Sequence, residues 1–146
     1  MYHYTECGLQ NVMLTNGYQM VDTPYGKGVS VHDVEGLHRA IGYELATNKP
    51  RLTGAEVRFL RNELDLPQVE LARFLGVSEV SIRGWENHRT KITKPSERLL
   101  RRLYLEHIDG DGTLRELVES ISKIIREAYQ QRISMRETSE GWQMAA

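Results

Sequence analysis

The sequence predicts a mainly α chain with a small β-rich start. Three observations predict it. Thr-x-x-Glu boxes at Thr53–Glu56 and Thr113–Glu116 open helices. Apolar residues recur at helical spacing between Val57 and Ala128. Turn residues and alternating apolar stretches are confined to residues 1–32. The 146 residues are 40% hydrophobic and 27% charged, which suits one domain or two small ones with a real core. No run approaches the roughly 18 consecutive apolar residues that a membrane span needs. Met1–Glu6 offers neither a basic nor an apolar start, so no secretory signal is expected. A lone cysteine, Cys7, excludes an intramolecular disulfide and a zinc site of several thiolates. A secreted mini-protein, a membrane protein and a disordered tail are thereby excluded, and a reduced, cytoplasmic setting is expected.

Residues 1–50 read as a small β-rich module with one helix. Asn16-Gly17 between Val12/Leu14 and Tyr18/Met20 predicts a tight hairpin, because both residues tolerate positive φ. Thr23-Pro24-Tyr25-Gly26 is a second turn, followed by the alternating Val29-Ser30-Val31 strand. Asp33 caps a helix over about 33–46, with Leu37, Ile41 and Leu45 every four residues, and Asn48-Lys49-Pro50 ends it. Thr53 and Glu56 open a helix carrying Val57, Phe59, Leu60 and Leu64. Pro95 starts another, with Leu99, Leu100, Leu103 and Tyr104 on one face. After Asp109-Gly110-Asp111-Gly112, an amphipathic helix over 113–133 carries Leu114, Leu117, Val118, Ile121, Ile124, Ile125 and Ala128 on one stripe. Residues 134–146 show no periodic pattern and read as a flexible tail, and no internal repeat is apparent.

Net charge is −1, but its distribution is uneven. Residues 83–102 hold seven basic side chains against Glu86 and Glu97. Nucleic-acid binding needs a basic face rather than a basic protein, since only the contacting surface neutralises phosphates. The competing reading is a solvated Lys/Arg surface.

Residues 68–87 carry the functional signal. Gln68–Leu75 and Glu79–Glu86 read as two short helices parted by Gly76, which can take the left-handed conformation of a sharp turn. Ala72 is small where the helices would cross, Leu71, Leu75, Val77, Ile82 and Trp85 face inward, and Ser78 supplies an N-cap hydroxyl. This is a helix-turn-helix layout, whose second helix lies in the DNA major groove.

Over about residues 53–107 the segment resembles the Xre/Cro family of helix-turn-helix regulators, which includes the lambdoid phage repressors; Ala72, Gly76, Ile82 and Trp85, followed by Glu86-Asn87, carry the resemblance. It implies a five-helix, lambda-repressor-like domain over 51–108 that binds operator DNA. The resemblance assigns base reading to Ser78, Glu79, Val80 and Arg83, and DNA contact to Ser81 among them. Glu79 would accept from cytosine N4, Val80 would pack on a thymine methyl, and Arg83 would reach guanine or a phosphate. Gln68 matches a phosphate-contacting position, and Asn87, Arg89 and Lys91 fall where the family touches the DNA backbone. Arg61 matches a position that pairs with the acid at Glu86, a structural ion pair fixing the recognition helix. Two residues depart from the pattern. Pro67 stands where the family favours Ser or Thr, and Gly84 removes a side chain at a position that often reads a base.

A tyrosine-rich module ahead of an Xre-type domain resembles the antitoxins of the MqsA type, which are autoregulating repressors whose N-terminal module binds zinc through two CxxC pairs and holds a toxin. Here Cys7 alone remains, so that zinc ribbon cannot form. His3, Cys7, His32 and His38 lack tight ligand spacing, so no metal and no other cofactor is expected. The tyrosines read as core. The 113–133 helix serves either to cover the chain's own core or as a dimer seam. A homodimer on a two-fold operator is expected, because one recognition helix touches too few bases for useful specificity. No phosphate-cradling glycine loop, nucleophile elbow or paired-ligand helix is present, so an enzyme is not expected. The function expected is a sequence-specific transcriptional regulator, a repressor with antitoxin-like organisation. The alternative is a protein-interaction module, holding a toxin or other partner, with secondary DNA binding.

Overall fold

The computed structural model describes residues 1–110, 116, 119 and 134–144. Four short strands come first: β1 (Tyr2–Tyr4), β2 (Val12–Leu14), β3 (Tyr18–Thr23) and β4 (Gly26–Val31). Five helices follow: α1 (Val34–Thr47), α2 (Gly54–Glu63), α3 (Gln68–Leu75), α4 (Glu79–Glu86) and α5 (Lys94–Asp109). Strands β5 (Met135–Thr138) and β6 (Gly141–Met144) close the described chain. The expected 113–133 helix lies outside the described residues, apart from Glu116 and Glu119, which are helical.

The strand pairing departs from the sequence expectation. β2 pairs with β1, Tyr2 opposite Leu14 and Tyr4 opposite Val12, and not with β3 across Asn16-Gly17. Gly17 does take positive φ (78°), but it turns the chain from one hairpin to the next. β3 finds in β4 a six-residue partner, twice the length β2 offers, with Tyr18 opposite Val31 and Thr23 opposite Gly26. Pairing β1 with β2 also buries Tyr4 and Leu14.

Residues 134–146, expected to lack regular structure, hold the antiparallel β5–β6 pair, with Thr138 opposite Gly141. Both long hairpins close in the same way. Thr23 Oγ1 donates to the Gly26 carbonyl at 2.6 Å and accepts from the Tyr25 amide. Thr138 Oγ1 donates to the Gly141 carbonyl at 2.9 Å and accepts from the Glu140 amide. Met20-x-Asp22-Thr23-x-x-Gly26 and Met135-x-Glu137-Thr138-x-x-Gly141 are thus one pattern used twice, a short repeat that periodicity alone does not reveal.

Within residues 51–110 there are four helices, and the fifth helix of the core is α1. Its attachment is close. A Cβ at Gly42 would lie 2.1 Å from the Tyr104 hydroxyl oxygen, so only glycine lets α1 approach α5 this nearly. Arg101 Nη1 donates to the Leu45 carbonyl at 2.8 Å across the same seam. Leu9, Leu45 and Ala46 join Leu60, Leu71, Ile82, Trp85, Leu100 and Tyr104 in one core. The module boundary read at residue 50 therefore does not separate two cores. The tyrosines divide: Tyr4 and Tyr104 are buried, whereas Tyr25 is fully exposed.

A chain of polar contacts pins β1 to the helices. The Tyr4 hydroxyl meets His38 Nε2 at 2.8 Å, and His38 Nδ1 meets Glu63 Oε1 at 2.9 Å. The His38 ring stands edge-on to Phe59. Cys7 is a free, half-buried thiol packed against the core.

Candidate nucleic-acid interface

The two central helices are built by local rules. α3 begins after Pro67, which offers no side-chain cap. It ends at Gly76 in the left-handed region (φ 68°), whose amide reaches the carbonyls of Ala72 and Arg73. Ser78 then caps α4: its hydroxyl accepts from the Ser81 amide at 3.1 Å and lies 3.0 Å from the Ser81 hydroxyl. α4 presents two unlike faces. Ile82 (0% exposed) and Trp85 (4%) lie in the core, while Glu79, Arg83 and Val80 (67% exposed) face outward. An exposed valine beside charged residues offers an apolar contact of the kind that can pack on a thymine methyl.

The inner end of α4 is anchored by a carboxylate. Glu86 is 2% exposed. Arg61 Nε donates to its Oε2 and Arg61 Nη2 to its Oε1, both at 2.8 Å, a two-point fork. Arg58 Nε adds a third bond at 3.1 Å. Burial alone would raise the Glu86 carboxyl, but hydrogen bonds from Arg61, Arg58 and Gln68 and the charge of Arg61 outweigh it and hold it below its ordinary value. Arg61 Nη1 also donates to the Leu66 carbonyl at 3.0 Å. Its guanidinium therefore ties α2, the α2–α3 turn and α4 together. Gln68, half-buried, leans on the same carboxylate from the first turn of α3.

The loop leaving α4 returns sharply. The Arg89 and Thr90 amides both reach the Gly84 carbonyl, at 2.9 and 3.3 Å, and His88 takes a left-handed conformation (φ 61°). A Cβ at Gly84 would stand 3.2 Å from Thr90 Oγ1. The glycine that departs from the family pattern thus sits under the returning loop. Asn87, Arg89 and Lys91 are exposed beyond it.

Electrostatics divide the basic residues into two groups. Arg58 and Arg61 bind Glu86, while Arg51 and Arg101 bind Glu97. Among the described residues, Arg83, Arg89, Lys91, Lys94 and Arg98 have no acidic partner within 4.0 Å. The paired arginines hold the scaffold, and the free cations lie on α4, the loop after it and the start of α5. Sequence reading did not single out Arg58 or the Glu97 cluster. The signal available was two acids amid seven bases, which marks both glutamates as structural anchors.

Among the described residues, no group of three or more His, Cys, Asp or Glu side chains could hold a metal ion, and no helix is long and apolar enough to cross a membrane. His3, Cys7, His32 and His38 do not converge on a common site; His38 is engaged by Tyr4 and Glu63. No curated protein and no solved structure matches the chain. Residues 57–103 match the Helix-turn-helix family. They are a helix-turn-helix domain of the Xre/Cro type, a family of DNA-binding transcription regulators.

Proposed function

We propose that the chain reads duplex DNA by sequence and represses transcription, α4 lying in the major groove of each half of a two-fold operator bound by a homodimer. The observation that carries this is the rigid presentation of α4. One face is sealed into the core and locked by Arg61 and Glu86, and the other exposes Glu79, Val80 and Arg83 beside cations that have no acidic partner among the described residues. In this reading Ser78, Glu79, Val80, Ser81 and Arg83 address base edges. Gln68, Asn87, Arg89 and Lys91 address phosphates, which position the helix without carrying sequence information. The unit responsible is residues 51–108, and a cytoplasmic setting follows from the partner.

Selection from a random duplex library with the full chain tests this directly. The expected result is enrichment of a two-fold-symmetric sequence, with altered base preference when Val80 is replaced by Ala. Recovery of unrelated sequences would contradict it.

A second reading, capture of a protein partner such as a toxin by residues 1–50, is favoured by one observation. Hairpin β3–β4 leaves Met20 and Tyr25 exposed, at 63% and 100%. In that case Met20→Ser with Tyr25→Ser would abolish partner capture while DNA affinity survives.

A further inference from the structure

Val80 and Gly84 lie one turn apart on α4, so they share one stripe of its surface. Val80 projects outward from that stripe, but Gly84 has no side chain to stand above it. Glycine is a weak helix former, and inside a helix of eight residues its presence calls for a local reason. Thr90, on the loop leaving α4, supplies one. Its Oγ1 comes within 3.2 Å of the point that a Cβ at Gly84 would occupy. A side chain on the helix and Thr90 would compete for the same place.

The backbone fixes Thr90 there. The Asn87 amide donates to the Arg83 carbonyl at 2.9 Å and the His88 amide to the Trp85 carbonyl at 3.2 Å. The amides of Arg89 and Thr90 both donate to the Gly84 carbonyl. Successive amides thus tie the loop to the last turn of α4, whose end is itself locked by Arg61 through Glu86. Thr90 is exposed, and among the described residues its hydroxyl has no hydrogen-bond partner. A hydroxyl held in this way can donate to a base edge or accept from one.

We infer that Thr90 is a specificity-determining residue, its hydroxyl reading a base from the place beside Val80 that Gly84 leaves empty. This rests on the DNA-reading proposal and carries base reading beyond α4 into the loop that follows it. Arg89 and Lys91, on either side, keep the phosphate-facing role given above.

The test starts from the duplex that the full chain selects. Affinity is measured for that duplex and for each single base-pair change in one half-site. The proteins compared are wild type, Thr90→Val, Thr90→Ser, Gly84→Ala and Val80→Ala. Valine keeps the shape of threonine and loses the hydroxyl. Thr90→Val should therefore flatten the preference at one base pair by about fivefold, the loss expected of one hydrogen bond. That base pair should neighbour the one altered by Val80→Ala. Thr90→Ser should keep the wild-type preference there, and Gly84→Ala, which presses on the hydroxyl, should disturb it. The salt dependence of Thr90→Val should match wild type, because no cation is lost. A merely structural Thr90 would shift the urea midpoint without singling out one base pair. Loss of affinity by the same factor on every duplex would make Thr90 a backbone or structural contact and overturn the inference. A Thr90→Val preference identical to wild type would overturn it too. Should wild type favour no duplex, the DNA-reading proposal falls and takes this one with it. A wild-type preference that Val80→Ala alters and Thr90→Val leaves intact removes the role of Thr90 alone.

Discussion

At Glu86 a single carboxylate receives Arg61 from two nitrogens and Arg58 from a third, so its removal strands a largely buried guanidinium. Breaking a buried pair from one side costs about 3 kcal/mol, and Glu86→Ala should lose that much in urea unfolding at pH 7. Glu86→Gln keeps the shape and loses the charge, so its loss should be smaller. The sign of the pH dependence follows from the lowered carboxyl. Its pKa in the folded chain lies below the ordinary 4.5 of the unfolded chain. The unfolded state therefore binds a proton first as acid is added. The stabilisation is fully present above pH 4.5 and is lost as pH falls below it through the folded value. Unfolding curves between neutral pH and pH 3 should converge for wild type and Glu86→Gln, and a constant gap would refute the assignment. The fork was legible as a position-by-position likeness, since Arg61 and Glu86 sit where the family pairs them. Arg58 was not legible, because an arginine on an exposed helix face carries no mark of its partner.

The helix α4 depends on its cap. Ser78→Ala removes the acceptor for the Ser81 amide and should cost about 1 kcal/mol of stability, read as a lower urea midpoint with an unchanged slope. α1 is attached to α5 through a contact only glycine permits. Gly42→Ala places a carbon 2.1 Å from the buried Tyr104 hydroxyl oxygen and should destabilise by about 2 kcal/mol through overpacking, despite alanine's better helix propensity. A neutral or stabilising result would mean that α1 does not pack on α5. Capping residues and periodicity made α1 through α5 legible to within a residue or two, because these are local signals. Strand pairing was not local. Asn16-Gly17 announces a turn correctly, but the partner of β2 was decided by the burial of Tyr4 and Leu14 and by the length match of β3 with β4. The Thr138–Gly141 turn escaped notice because its strands are four residues long, too short for alternation to register.

At the scale of the whole molecule, a core shared by Leu9, Leu45, Trp85 and Leu100 means that the N-terminal segment and the helix-turn-helix are supported by one packing unit. A boundary drawn at Pro50 from composition could not reveal this, since the contact between Gly42 and Tyr104 joins residues far apart in sequence. The same core sets the orientation of α4, so the presentation of its outer face and the integrity of residues 1–50 are physically linked. The most direct test of the central claim is fluorescence anisotropy on duplex DNA from upstream of the chain's own gene and on a scrambled duplex, across a salt series. Tighter binding to the upstream duplex is expected, with affinity that falls as salt rises. The combined Ser78→Ala, Glu79→Ala and Val80→Ala variant should lose the preference while remaining folded. A variant that keeps the wild-type preference would contradict the placement of α4 as the reading surface, and wild-type affinity indifferent to salt would contradict DNA binding through phosphates.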